Sequence, residues 1–545
     1  MNPLTLLDYC TCTNTVVLIV SPEGKDEGWN GDTMNRSYTD LVTVLSKSHF
    51  QWKSVNDRWL MEVTSSFQHK PFLPEVKWLR EFENVLLVCR CPVTSIASWH
   101  SYGFLVFSTS DMKDCYTVKE RDIITHIQKW DMYPYIHSPG NLPEPLRGTD
   151  GPDTFTGITV RKRIPTIIRQ TAESIRNLKD KDKQRYEELA ETIRTDGSLE
   201  DCDSHSRGLL DILFTSKVTR ARIDGCTWHS IPWWLAENYE YVLLNRIQQS
   251  IASPDMPADP FHYLKQDALS AALLVFPQLV KPLIAAVREN PEFTEEVFQA
   301  LLLRNLWGNK ADLSMSGGKI EKEEIQTESG NVLLVNNMDT AWEYLHSRPL
   351  HKIAIFADNV GLELLCDLTL IAILLHYYPD MSILYVVKSD PVFVSDVTIP
   401  DIRPTLDALC NLAVDDIQWI VHSLTEAESK HRLSYYACPF LCTASPGWEM
   451  PCSLAELLAE QDLMIGKGDA NYRRLVGDLH WPYDVPMSRV MDYYPCPFLL
   501  LRTLKSNVNI GISKEIQEQA KKIDATWDCD GRFGIIQFYQ PSHCK

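Results

Sequence analysis

The chain has 545 residues, of which 44% are hydrophobic and 23% charged, and its formal net charge is -19. This is the balance of a soluble globular protein, and so acidic a chain is a poor non-specific binder of nucleic acid or of an anionic membrane surface. The length exceeds one ordinary core and implies roughly two to four structural units.

The opening "MNPLTLLDYCTCTNTVVLIV" carries no basic leader, and no stretch approaches the ~20 apolar residues that cross a bilayer. The 15 cysteines are an odd number without a C-x-x-C pair. These features point to free thiols in a reducing compartment, so the expected location is cytoplasmic or nuclear. Cys10 with Cys12, and Cys89 with Cys91, form two C-x-C pairs whose four thiolates could hold zinc. That spacing is not a typical zinc knuckle, and two strand-like runs with ordinary thiols are the simpler reading. Residues 1–133 mix short apolar runs such as "TVVLIV" and "NVLLVCRC" with polar spacers. They are expected to form an N-terminal extension of unknown role.

The Pro- and Gly-rich "YIHSPGNLPEPLRGTDGPDTF" marks the best domain boundary. Residues 134–330 then read as a linker and a helical subdomain, through "VRKRIPTIIRQTAESIRNLKDKDKQRYEELAETIRT", "IPWWLAENYEYVLLNRIQQSIA" and "LKQDALSAALLVFPQLVKPLIAAV". The charged "SMSGGKIEKEEIQTESGN" predicts a flexible loop. From 331 to 545 the pattern changes again. The runs "HKIAIFA", "SILYVVK", "DLMIG" and "PFLLL" predict strands, and "GLELLCDLTLIAILLHYY" between the first two has helical length. Strand–helix–strand predicts a right-handed parallel crossover, hence an α/β domain with a mostly parallel sheet.

In open parallel sheets, ligands gather at the carboxyl ends of the strands. Asp358 and Asn359 follow one predicted strand, and Asp396 lies in the loop after the next. Lys467, Gly468 and Asp469 follow a third, while Arg502 and Lys505 end a fourth. Asp358, Asn359 and Asp396 offer oxygen ligands without sulfur or imidazole, which suits Mg²⁺ or Mn²⁺. Lys467 and Lys505 could meet phosphate oxygens. Gly468 would let the backbone approach an anion, and a helix starting near Gly361 would add a positive dipole end. Each feature also has an ordinary reading: Asp-Asn as a helix cap, "KGD" as a turn, Glu363 as a complement to the helix dipole. Asp367, one turn further along, reads as a partner of that site or as a buried hydrogen-bonded carboxylate. Their recurrence at four strand ends points to a phosphate-ester site.

The stretches "NLPEPLRG", "TVRKRIP", "PWWLAENYEY", "LWGNKADLSMSGG", "FADNVGLELLCDL", "VFVSDVTIPD", "KGDANYRRLVGD", "RTLK" and "GRFGIIQFY" occur in order between residues 141 and 539. On these motifs the chain resembles the metal-dependent damage-control phosphatases, in the subfamily marked by a C-terminal R-T-x-K motif. Members of that subfamily have also been proposed to be protein-glutamate O-methyltransferases. The resemblance implies an α/β/α sandwich with a helical N-terminal subdomain. It implies a divalent metal (Mn²⁺ or Mg²⁺, with Ni²⁺ or Co²⁺ as further candidates) held by Asp358, Asn359 and Asp396. Asp358 and Asp396 are then the catalytic candidates. Substrate contacts are implied for segment 467–471, which contains Asp469 and Asn471, and for Lys505 at the end of the R-T-x-K motif that Arg502 begins; Glu363 falls close to the metal. Arg163, Asn309 and Asp312 lie in further motifs of the family. The implied substrates are small sugar phosphates, fructose 1-phosphate or fructose 6-phosphate, in the removal of reactive metabolites.

Three positions depart from the family pattern. Val360 stands where relatives carry a small residue, Val242 follows Tyr241 where an Arg is common, and residues 1–133 match nothing in the family. The attacking group stays open between water on the metal and the Asp358 carboxylate. Two alternatives remain: S-adenosylmethionine-dependent methylation of protein carboxylates, with protein substrates, and a non-catalytic interaction role. "DNVGLE" carries one glycine where a nucleotide-cofactor loop usually wants several.

Overall fold

This computed structural model describes residues 138–199, 225–308, 332–450 and 452–544, the isolated positions Ile136, Val218, Ala221 and Arg222, and the backbone of strands within the first 108 residues. Those strands are β1 (Leu4–Asp8), β2 (Val17–Ser21), β3 (His49–Val55), β4 (Arg58–Thr64), β5 (Asn84–Val88) and β6 (Phe104–Ser108). They pair antiparallel as β1 with β6, β2 with β5 and β3 with β4. The two C-x-C pairs and the charged segment after Trp307 lie outside the described residues.

By compactness the chain divides into two units, one of Met1–Gly140, Ser198–Thr227 and Gly447–Ala455, the other of Asn141–Gly197, Trp228–Pro446 and Glu456–Lys545. The helical stretch and the sheet domain, expected as segments 134–330 and 331–545, share the larger unit. Its helical part runs through α1 (Ile164–Ser174), α2 (Asp180–Arg194), α3 (Trp233–Ile251), α4 (His262–Glu289) and α5 (Glu295–Trp307). Further helices include α6 (Met338–Ser347), α7 (Leu362–Tyr377), α8 (Ile399–Cys410), α9 (Asp415–Ser429), α10 (Asp469–Val476) and α11 (Lys514–Ile523).

The larger unit carries a seven-stranded sheet in the order β10-β9-β8-β11-β12-β13-β7. Its strands are β7 (Val332–Asn336), β8 (Lys352–Phe356), β9 (Ser382–Lys388), β10 (Leu433–Cys438), β11 (Leu463–Lys467), β12 (Phe498–Thr503) and β13 (Phe533–Tyr539). From β10 to β12 every neighbouring pair is parallel; β13 runs antiparallel to β12 and parallel to β7. The sequence reading of a mostly parallel α/β sheet holds.

Both faces of this sheet are covered, as parallel sheets require. Ile353, Ile355, Ile383, Tyr385, Val387, Leu463, Ile465, Leu499 and Leu501 belong to one apolar cluster with residues of α4 to α9. The alternate positions Ala354, Val386, Met464, Phe498 and Leu500 are buried on the opposite face. Helix α7 explains the long apolar run: Leu362 through Leu375 are buried without interruption, so the helix is apolar on every side because it is enclosed on every side. Helix α4 is the one among the described residues long and apolar enough to cross a membrane. Its Phe276, Val280 and Ile284 belong to the same core, and its buried Lys265 pairs with Asp259 at 3.0 Å and Asp401 at 2.9 Å.

Leu368 on α7 has 0% exposure. Leu368→Ala should cost about 2–5 kcal/mol of unfolding free energy by urea titration, through lost burial and the cavity left behind. A loss below about 1 kcal/mol would contradict this packing.

Candidate active site

The strand order reverses direction between β8 and β11: the chain leaves β8 toward β9 and β10 on one side, and returns to β11 and β12 on the other. The carboxyl ends of β8 and β11 therefore meet at the switch point of the sheet, the place where open α/β sheets bind ligands. The structure brings Asp358, Asn359, Asp396, Lys467 and Gly468 to this edge.

Two loops are zipped together there. Asn359 and Asp396 form an antiparallel bridge. The Val360 N–H donates to the Ser395 carbonyl at 2.7 Å, and the Val397 N–H to the Asp358 carbonyl at 2.8 Å. The Ser395 hydroxyl donates to Asn359 Oδ1 at 2.6 Å. Asn359 Nδ2 donates to Asp358 Oδ2 at 2.9 Å and to Glu363 Oε2 at 3.1 Å. Asp358, Asn359 and Asp396 are buried, at 5%, 4% and 1% exposure. Gly468 adopts φ +86, and a Cβ there would overlap the Asp358 carboxylate. Only glycine lets the loop after β11 lie against that side chain. Val360 belongs to the apolar core, so its side chain is absorbed by packing.

Alternation along the strands decides where the basic groups go. Lys467 shares a strand face with Leu463 and Ile465, the face covered by α7. Its ammonium pairs with Asp367 and lies 3.3 Å from both Glu363 Oε1 and Asn305 Oδ1. Tyr385 donates to the other Asp367 oxygen at 2.7 Å. Lys467, expected at a phosphate, is thus committed to two carboxylates of α7. Burial lowers its affinity for a proton, but Asp367 and Glu363 outweigh that and raise its pKa. Burial pushes the Asp367 carboxyl up to about 6 against the pull of Lys467, with Glu363 pushing the same way.

Lys388 and Arg502 fall on the opposite face. Sequence reasoning did not single out Lys388, although it ends a strand at the same edge. It is buried, 3.1 Å from Asp396 Oδ2, and donates to Asn471 Oδ1 at 2.8 Å. Asn471 in turn donates to the Ala357 carbonyl at 2.9 Å and the Lys467 carbonyl at 2.8 Å, linking the β8 and β11 loops. Arg502 was expected at the substrate. At 0% exposure, it lies over the Tyr472 ring and donates to Asp469 Oδ1, the Val508 carbonyl, Asn509 Oδ1 and Ser506. Those bonds consume its donors, so Arg502 and Asp469 hold the loop after β12. Burial raises the Asp469 carboxyl, but Arg502 outweighs it and the net shift is downward. Lys505 is buried and its N–H reaches Asp469 Oδ1 at 3.3 Å. Arg163 ends the helical segment Thr159–Arg163, within electrostatic reach of Glu240 and Tyr241 on α3. Asn309 and Asp312 lie outside the described residues.

The linked set contains four buried carboxylates, Asp358, Glu363, Asp367 and Asp396, and two buried ammoniums, Lys388 and Lys467. Buried charge is costly unless compensated, so each of these groups is held against a partner. Among the described residues no three His, Cys, Asp or Glu side chains converge as a ready metal cage. Two carboxylates and the Asn359 amide make an all-oxygen set instead, which fits a hard cation that keeps water and substrate oxygens in its other positions.

A family model described as the damage-control phosphatase ARMT1-like domain matches residues 159–520. The damage-control phosphatase ARMT1 of Xenopus tropicalis is 27% identical over 70% of this chain and 96% of its own length. That of Danio rerio is 27% identical over 74% of this chain and 99% of its own, and that of Xenopus laevis 30% identical over 57% and 75%. A solved DUF89 family protein from Pyrococcus horikoshii aligns with 66% of this chain and 93% of its own, at 13% identity and a TM-score of 0.35.

The raised Asp367 carboxyl sets a pH dependence. Unfolded Asp titrates near 3.9, and the folded group at about 6. The folded state holds the extra proton between those values. The contribution of this carboxyl to stability is therefore full at low pH and falls as pH rises through about 6. Urea unfolding from about pH 4 to pH 7 should show wild type losing stability relative to Asp367→Asn as pH rises. Parallel profiles would contradict the assignment.

Proposed function

The chain belongs to the ARMT1-like damage-control phosphatase domain family, and on that premise we propose that it hydrolyses small sugar phosphates, fructose 1-phosphate and fructose 6-phosphate first among them. The observation that carries this reading is the gathering of buried Asp358, Asn359 and Asp396 on two bridged loops at the β8–β11 edge. Asp358, Asn359 and Asp396 would hold the cation, Mn²⁺ or Mg²⁺ by the hardness of an all-oxygen set, with Ni²⁺ or Co²⁺ also admissible. When bound, the cation supplies positive charge to the phosphoryl oxygens.

The chain's own groups do the rest. Lys388 brings an ammonium beside Asp396, on the side away from α7, where it stabilises negative charge developing on a phosphoryl oxygen. Lys505 is the second cation assigned to the phosphate. The first turn of α7 begins just after Gly361 and offers the positive end of its dipole to an anion. Lys467 acts one step back: it fixes Glu363, whose other oxygen accepts from Asn359, and so keeps a carboxylate ready for a sugar hydroxyl. The burial of these side chains keeps their electrostatics strong.

Phosphate release from fructose 1-phosphate tests the reading. Release is expected with Mn²⁺ or Mg²⁺ and absent with EDTA. Asp358→Ala should lose activity by about 10²-fold or more. Equal release in EDTA, or full activity in Asp358→Ala, would overturn it.

A further inference from the structure

The loop that carries Asp396 adopts a backbone state its residues do not favour. Phe393 has φ 51 and Val394 φ 68, two consecutive non-glycine residues in the left-handed region. For a β-branched residue such as Val394 that is a genuine outlier, and such conformations persist only where the surroundings over-determine them. Val394 directly precedes Ser395, which bonds Asn359, and Asp396 itself.

The surroundings come from α3. The Phe393 ring is stacked on Trp234, with centroids 5.6 Å apart and planes at 18°, and meets the Tyr241 ring at 5.2 Å. One turn beyond Tyr241, Asn245 donates to the Pro391 carbonyl at 2.7 Å. The same helix grips the other side of the switch point. Arg473 of α10 lies 3.6 Å from the Trp233 ring centroid and 4.5 Å from that of Trp234, and pairs with Glu237 at 2.6 Å. Helix α3 therefore ties the loop bearing Asp396 to the helix that follows Gly468.

We infer that Phe393, gripped between Trp234 and Tyr241, is a positioning residue that holds Asp396 in its cation-binding geometry. The inference rests on the reading of Asp396 as a cation ligand. The aromatic grip supplies from outside the loop what its own residue types do not supply, and through the loop it bears on Asp396. Partners that orient metal ligands typically change metal affinity by ~10–100-fold when removed.

The test is Mn²⁺ titration of the full chain by calorimetry, with melting temperature recorded in EDTA. Phe393→Leu should weaken Mn²⁺ binding by ~10-fold or more while its melting temperature in EDTA stays close to wild type. Adding Val394→Gly should restore part of the lost affinity, because glycine holds a positive φ without steric cost. A purely structural role would give losses of affinity that follow the loss of melting temperature, and no rescue. Should Phe393→Leu fail to fold, Phe393→Met removes the ring while keeping most of its volume and is read in the same way. Wild-type affinity in these variants, or loss without rescue, would overturn the inference. A wild-type protein that takes up no Mn²⁺ would overturn the cation reading itself, which separates the two failures.

Discussion

Four carboxylates buried beside two ammoniums at one edge of a parallel sheet are the constraint around which this site is organised. Each charge has lost its water, and each must be answered by a partner at hydrogen-bond distance. The answers run in two directions. On the α7 side, Lys467 binds Glu363 and Asp367. On the α10 side, Lys388 binds Asp396 and Asn471. Asn359 stands between these groups, donating to Asp358 and Glu363 and accepting from Ser395.

That arrangement depends on a rigid floor. Helix α7 is buried from Leu362 to Leu375, so Glu363 and Asp367 project from an element packed on every side. The capping box of α8, in which Asp401 accepts from Thr398, fixes the chain just after Asp396, and the buried Lys265 of α4 anchors that same Asp401. Helix α3 clamps the loop from the preceding side through Phe393. The loop bearing Asp396 is thus held before and after that residue by elements that lie far apart in the chain. Precision at the site is a property of these distant helices as much as of the residues at the strand ends.

Much of this was legible in the sequence. The short apolar runs before Asp358, Asp396, Lys467 and Arg502 marked strands, and a parallel sheet brings their ends to one edge. The direction of each side chain was legible too in principle, since alternation puts Lys467 on one sheet face and Lys388 and Arg502 on the other. Lys388 escaped notice because a lysine closing "SILYVVK" looks like an ordinary strand boundary. Lys467 and Arg502 were expected to face substrate because spacing announces a charge but not its partner, and Asp367 and Asp469 each lay close enough to take them. The left-handed turn at Phe393 and Val394 left no signal, because neither residue type favours that conformation and the rings that impose it come from α3, far earlier in the chain.

The central claim is that Asp358, Asn359 and Asp396 together hold one divalent cation. Anomalous diffraction from crystals grown with Mn²⁺ tests it most directly. The account predicts a single strong peak bounded by oxygens of those three side chains at about 2.0–2.2 Å, with Lys388 displaced no further than the far side of Asp396. No peak at millimolar Mn²⁺, or a peak that excludes Asp358 and Asp396, would contradict it.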